Sequence, residues 1–406
     1  MLDHRQRNVW WNQPWVVVTA GGIVVGLAMG VRHILGMFMV PITLERGWSR
    51  EAFGFAVAVQ NLAWGLSQPF VGMIADRIGS RIVIATGLLC YGAGLILMAQ
   101  AGSTSAFTLS AGLCIGIALS GTAFGVVYGA LSRLVPPERR GWALGLAGAV
   151  GGLAQFFLVP VSQGLISALG WAGALTALGI VCAMLLPCSI PMRDRPTVPA
   201  ATGQSLTSAL REAFSHRGFW LLNLGFLTCG FQLAFLTSHL PAYLLDKGMP
   251  GNLAVTGLAI IALANVGGSF VCGWLGGIHR RKYLLSGLYL MRALAMAAFV
   301  LFPLTQWSLY LFCAVMGFLW LGTVPLTNGL VSQVFGVQYI STLFGFVFFG
   351  HQLGASLGAW LGGYVFERTH SYDLIWVASI ALGVVAAVLH YPIDDRAIQR
   401  AAPVPA

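Results

Sequence analysis

Long apolar runs separated by short polar breaks organise the whole chain. A helix needs about 20 apolar residues to cross a bilayer. Runs of that kind fall at 15–41, 51–74, 82–100, 106–132, 142–168, 171–191, 218–244, 252–276, 282–303, 307–331, 341–366 and 372–391. They predict an all-α integral membrane protein with twelve transmembrane helices. Glycine and proline inside several runs do not argue against helix, because neighbouring helices satisfy the freed backbone groups in a membrane.

The charges sit between the runs and sort into two sets. One set of ends carries Arg5, Arg7, Arg77, Arg81, Arg133, Arg139, Arg140, Arg193, Arg195, Arg211, Arg217, Arg280, Arg281, Lys282, Arg396 and Arg400. The other carries Arg46, Arg50, Lys247 and Arg368. Positive loops stay in the cytoplasm, so both termini are expected there. The expected location is the plasma membrane, a bacterial inner membrane. Between runs six and seven lies the longest polar stretch, which divides the chain into 1–191, a linker 192–217, and 218–406. Each half holds six helices.

Composition agrees: 57% of the 406 residues are hydrophobic and 8% charged, against about 25% charged in soluble domains. The isoelectric point of about 9.6 does not indicate nucleic-acid binding, because the basic residues sit at helix ends rather than in one aromatic-laced patch. The seven cysteines lie in or near apolar runs without a CxxC pair, so neither disulfide nor metal is expected. No cofactor is expected. An enzyme is disfavoured, since there is no HExxH, no intramembrane aspartate pair and no Ser/His set with a placed acid. The first apolar run is long enough to span and stay, and it lacks the cleavage site of a signal peptide.

Within this apolar background one stretch stands apart. GLAMGVRHILGMFMVP (26–41) carries Arg32 and His33 side by side near mid-span. A charge at that depth costs about 2.5–3.5 kcal/mol on insertion scales. None of the 12 acidic residues lies near mid-span, so the counter-charge must come from carbonyls, water or a visiting anion. The last is the reading adopted. Arg292 is the other mid-span charge, and a structural role or a place on the cytoplasmic rim is expected for it. His239 and His351 are the remaining mid-span groups able to relay a proton near neutrality. Tyr128, Gln60, Asn61, Gln155, Gln232, Asn265, Asn328 and Gln352 are uncharged hydrogen-bonding candidates, with Tyr128 and Gln232 preferred. Trp320 and Phe344 are candidate apolar walls. The runs GLAGAVGG (145–152) and GASLGAWLGG (354–363) favour close helix contact.

The loop after the second run reads Gly72-x-x-x-Asp76-Arg77-x-Gly79-x-Arg81, and a degraded copy, Gly273 to Lys282, follows the eighth. On this signature the chain resembles the major facilitator superfamily. The resemblance implies two pseudo-symmetric six-helix bundles, with spans 1, 4, 7 and 10 lining a central cavity. It also implies that Gly72, Asp76, Arg77, Gly79 and Arg81 form a conformational lock that joins the bundles in the outward-open state. Within the superfamily, NQPWVVV (12–18), ERGWSREAFGFA (45–56) and GSRIV (79–83) resemble the monocarboxylate-transporter and oxalate/formate-antiporter branch. His33 then falls where animal members carry a substrate-linked lysine. Their eighth span carries Asp and Arg four residues apart, whereas here those positions are Asn265 and Ser269.

The function expected is secondary active transport of a small organic anion, a monocarboxylate, by alternating access. Substrate-binding candidates are Arg32, His33, Tyr128, Gln232, His239 and His351. Proton symport is the first coupling expected, and anion exchange or export of a larger or neutral compound the alternatives. The partners expected are the organic anion, a proton or counter-anion, and the lipid bilayer. The chain is expected to act as a monomer.

Overall fold

A computed structural model of the protein describes residues 13–135, 140–194, 205–336 and 340–398, and these are helical almost throughout. The first three spans are α1 (Pro14–Arg46), α2 (Arg50–Ile78) and α3 (Ser80–Gln100). Pro14 opens α1 at a position where its missing N–H costs nothing. Gly47 closes α1 in the left-handed region, at φ 67°. Ser49 then caps α2 by accepting from the Ala52 N–H. Gly79, at φ 95°, lets α2 turn directly into α3.

The fourth span is segmented. It runs through α4 (Thr104–Phe107), a π-helical stretch (Thr108–Cys114), α5 (Ile115–Thr122) and α6 (Phe124–Leu134), with extended backbone at Ala123 between the last two. Spans five and six form one continuous stretch, α7 (Arg140–Met184), folded back at Gly170 with φ 69°. A 3-10 helix (Leu186–Met192) follows, and α8 (Leu206–Ser215) is a short helix of the linker.

The second half comprises α9 (Arg217–Asp246), α10 (Gly251–Ile278), α11 (Arg281–Leu301), α12 (Gln306–Phe318), α13 (Thr323–Phe335), α14 (Ile340–Thr369) and α15 (Asp373–His390). Here α12 and α13 are the two parts of the tenth span, broken at residues 319–322. Among the described residues, nine helical stretches are long and apolar enough to cross a bilayer. One of these, 143–192, contains two spans either side of Gly170. The two remaining spans, α2 and α14, have the length but more polar and small residues. The twelve expected spans are therefore present.

Burial separates centre from rim. α1 and α9 are buried along most of their length. Large side chains such as Phe270, Leu301 and Trp307 are about four-fifths exposed. In water such a surface would aggregate, whereas in lipid it is the normal outer surface. Glycines set the closest approaches between the halves: Gly36 of α1 packs on the backbone of Thr237 and Ser238, and Gly54 of α2 on Ala359 of α14. Any side chain at either glycine would collide with backbone.

The contacts joining the halves gather between mid-span and the face where α1 ends and α2 begins, the far face below. A Cβ built on Gly72, Gly145 or Gly345, nearer the opposite face, meets nothing within 4 Å. That opposite face carries the arginine-rich loops and is called the basic face.

The internal repeat runs deeper than the loop signature. At an offset of about 201 residues, Pro191-x-x-Asp194-Arg195 matches Pro392-x-x-Asp395-Arg396. Asp194 accepts from the Ser80 N–H at 2.6 Å and hydroxyl at 2.8 Å, and from Arg133 Nε at 2.7 Å. Asp395 pairs with Arg280 through both oxygens, at 3.0 and 2.5 Å. Each aspartate ties the end of its half to the turn after that half's second helix. Met192 and Asp194, at the start of the expected linker, are buried against the first half.

Candidate functional site

Arg32 lies mid-way along α1, and its neighbours come chiefly from α2. Asn61 and Trp64, three residues apart, share one helix face. The Asn61 amide donates to the Val57 carbonyl at 2.9 Å, which turns its oxygen towards Arg32. Arg32 Nη2 donates to that oxygen at 2.8 Å, and the guanidinium sits 5.5 Å from the Trp64 ring centre. Arg32 Nε is buried without a hydrogen-bond partner.

Across the interface the aromatic wall continues. Trp64 meets Phe348 of α14 edge-on at 5.1 Å, and Phe348 stacks on His351 at 5.6 Å. His33 points the other way, as expected for adjacent helical residues about 100° apart. Its Nε2–H donates to the Leu258 carbonyl of α10 at 3.0 Å, and its ring meets Trp320 edge-on at 6.2 Å. Arg32, His33 and His351 therefore cluster at the junction of the halves. Trp64 and Phe348 complete it and were not singled out in the sequence, where nothing distinguishes them from other apolar aromatics except their i, i+3 spacing to Asn61 and His351.

The other expected site residues lie elsewhere. Gln232 is buried on the back of α9, donating to the Ser379 carbonyl of α15 at 3.0 Å. Its polarity serves helix–helix packing. Tyr128 packs on Phe124 at 5.3 Å, with its hydroxyl against Gly148, towards the basic face. His239 sits near the far face with both nitrogens engaged. Its Nε2–H donates to the Ala359 carbonyl at 2.7 Å, and Nδ1 accepts from the Tyr372 hydroxyl at 3.3 Å. Tyr372 in turn accepts from Arg50 at 3.1 Å. A histidine so satisfied is a strut in the closure of the far face.

Arg50 is the centre of that closure. It grips Asp246 with both terminal nitrogens, at 2.5 and 2.8 Å, and lies 4.0 Å from the Phe366 ring centre. Its backbone N–H donates to Glu367 at 2.7 Å, and Glu51 and Arg368 approach within 3.5 Å. These contacts all join the first half to the second. At the basic face, Gly72 has no close neighbour, Gly79 forms the turn, and Arg77 and Arg81 are exposed. The side chain of Asp76 lies outside the described residues.

Arg292 is fully buried, and Cys229 links it to His351 of the cluster. It donates to the Leu319 carbonyl through Nε at 3.1 Å and Nη2 at 2.5 Å, and also to the Trp320 carbonyl. Its Nη1 reaches Cys229 Sγ at 3.3 Å. The broken turn 319–322 is held on the other side by Asn265, whose oxygen accepts the Leu321 N–H at 3.0 Å and the Ser269 hydroxyl at 3.1 Å. Arg292 and Asn265 thus seat Trp320 against His33, and the expected structural role of Arg292 has a definite object.

Comparison with known proteins agrees with this architecture. The family model described as Major Facilitator Superfamily matches residues 21–359. An uncharacterized MFS-type transporter, YcxA, of Bacillus subtilis (strain 168) is 27% identical over 90% of this chain and 91% of its own. Monocarboxylate transporter 11 of Mus musculus is 30% identical over 88% of this chain and 82% of its own. Among solved structures, a bacterial homologue of the human lysosomal transporter Spinster superposes with a TM-score of 0.76 at 16% identity, covering 93% of this chain and 96% of that one. The Escherichia coli fucose:proton symporter FucP superposes at 0.64 and 15% identity, covering 93% and 97%.

Proposed function

The chain belongs to the Major Facilitator Superfamily and is a membrane transporter rather than an enzyme, and we propose that its substrate is a small monocarboxylate whose carboxylate docks on Arg32. One observation carries the proposal: Arg32 is a cation at the junction of the halves with a buried, unpartnered Nε. A carboxylate accepting from Nε and a terminal nitrogen supplies both the missing counter-charge and the missing acceptor. The Trp64 and Phe348 rings offer an apolar wall for a short carbon skeleton. The relatives named monocarboxylate transporters 11, 12 and 13 point to the same substrate class.

The lysine and arginine distribution supports a cytoplasmic basic face. The geometry described is then the inward-open state, with the Arg50 contacts closing the outside. Substrate enters when those contacts part and leaves when the basic face opens. Proton coupling falls to His33 and His351, the two histidines beside the site.

Anion exchange is the second reading, and the same arginine favours it. An empty site must carry an uncompensated cation through the closed intermediate, whereas a loaded site is near neutral. Exchange of one carboxylate for another therefore avoids the costlier half of the cycle.

The test is uptake of radiolabelled carboxylic acids into proteoliposomes, with and without an inward proton gradient and with and without internal carboxylate. Arg32→Ala is expected to abolish carboxylate uptake in protein that still purifies folded, and Arg32→Lys to retain part of it. Undiminished carboxylate uptake by Arg32→Ala overturns the assignment. Stimulation by the gradient marks symport, and stimulation by internal anion marks exchange.

A further inference from the structure

The two halves treat their basic-face cations differently. In the second half, Arg280 pairs with Asp395, Arg281 donates to Gln333, and Lys282 is buried with its amine on the Ile393 carbonyl at 2.7 Å. In the first half the position matching Lys282 is Arg81, and the position matching Asp394 is Arg193. Both arginines are exposed. Neither is drawn to Asp194, whose carboxylate is already taken by Ser80 and Arg133. The repeat thus acts as an internal control: one copy meets Arg280, Arg281 and Lys282 from within, and the other presents Arg81 and Arg193 outward.

Those two arginines stand at the polar end of a groove of about 800 Å³ between α3 and the 3-10 helix that follows α7. The rest of the groove is mainly apolar, with Ile82, Leu89, Leu186 and Ile190, and includes Thr86, Ser189 and Asp194. Ile82, Leu89 and Ile190 are about two-fifths to one-half exposed. From Ile82 to Leu89 the wall descends roughly 10 Å along the helix axis. The groove opens sideways on the rim of the molecule, at the ends of spans, where the surrounding medium is the headgroup layer and the tails beneath it.

We propose that this groove is a binding site for an anionic diacyl phospholipid, its phosphate held between Arg81 and Arg193 and one acyl chain along Ile82, Leu89 and Ile190. A soluble phosphate uses only the arginines and leaves the apolar wall wet. A zwitterionic lipid covers the wall but brings its own cation to the arginines. An anionic lipid satisfies both parts. Because the site abuts Gly79 and Ser80 at the α2–α3 turn, and Asp194, its occupancy braces the foot of the first half.

The experiment compares lipid retained by purified full-length protein in native mass spectrometry, with phosphatidylglycerol, phosphatidylcholine or glycerol phosphate added. Each surface arginine contributes roughly five-fold to anionic-lipid binding, so the wild type is expected to prefer phosphatidylglycerol by about 25-fold. In Arg81→Gln/Arg193→Gln that preference is expected to fall to near unity. Arg81→Lys/Arg193→Lys is expected to keep most of it, and Arg396→Gln, an exposed cation of the other half, to keep all of it. Melting temperatures without added lipid check that the variants are folded, which the exposure of both side chains favours. Equal retention of phosphatidylcholine by wild type, an unchanged preference in the double glutamine variant, or glycerol phosphate binding as tightly as the lipid each overturns the proposal.

Discussion

The far-face closure makes a quantitative demand on Arg50. Substituting it with Ala removes the two-pronged bond to Asp246, the bond to Tyr372 and the stacking on Phe366, while the backbone bond to Glu367 survives. Exposed ion pairs are worth about 0.2–1 kcal/mol, and hydrogen bonds to charged groups about 1.5–3 kcal/mol. The Arg50 and Asp246 side chains are 15% and 33% exposed, so solvent screens the pair and the lower half of that range applies. A loss of about 1–2 kcal/mol changes the ratio of closed to open far face roughly 5- to 30-fold. Arg50→Lys keeps the charge but not the fork, and is expected to lose part of that ratio. The readout is the distance distribution between spin labels at Leu44 and Lys247, exposed far-face positions on opposite halves, in a background stripped of accessible cysteines. Arg50→Ala should add a longer-distance population, and Asp246→Asn should do the same. The double variant should add little beyond either single one, because both remove the same bond. An unchanged distribution in Arg50→Ala refutes the reasoning, and so does full additivity of the two substitutions.

Two further outcomes follow from the same geometry. Arg292→Met leaves the Leu319 and Trp320 carbonyls without their buried donor, at about 1–3 kcal/mol each. A lower melting temperature and slower carboxylate uptake are expected together, with Arg292→Lys intermediate, and a wild-type melting temperature in Arg292→Met would show that the clamp is idle. At the basic face, the hydrogen bond and charge of Arg280 hold the Asp395 carboxyl below its ordinary value of 3.8. The stabilisation is therefore complete above that value and lost as pH falls through the lowered one. The melting-temperature gap between wild type and Asp395→Asn should stay constant from neutral pH to about 5 and close only below 3.8; a gap that closes between pH 7 and 5 contradicts the pairing.

Hydropathy alone made the spans legible, since lipid imposes one strong rule on every residue that faces it. What it missed are places where backbone is the partner. The turn at 319–322 reads LWLG, apolar throughout, and only Gly322 and the nearby Pro325 hint that the helix stops there. Arg292 was visible as a buried charge, but its acceptors are carbonyls, which every residue possesses and no letter reveals. Asp194 looked like linker because its neighbours are polar. Its pairing becomes readable only when Pro191-x-x-Asp194-Arg195 is set beside Pro392-x-x-Asp395-Arg396. His239 and Gln232 lie apart from the Arg32 cluster for a shared reason: a buried polar group must find a partner somewhere, and the sequence does not say whether that partner is protein or substrate.

Arg32 and Arg292 show how the choice is made. Both are mid-span arginines in helices of ordinary apolar composition, and by insertion cost they are equivalent suspects. In the folded chain they differ in what remains unmet. Arg292 spends Nε and both terminal nitrogens on two carbonyls and a thiol, so a ligand there would have to displace protein contacts and break the seat of Trp320. Arg32 has one amide oxygen and the face of one indole, with Nε left over. An unmet donor on a buried cation is costly unless something periodically meets it, and the carboxylate proposed above would do so. The depth of a charge therefore raises the question of function, and its unfilled hydrogen-bonding capacity ranks the candidates. The same test sorts the basic face, where Lys282 is met from within and its counterpart Arg81 is not.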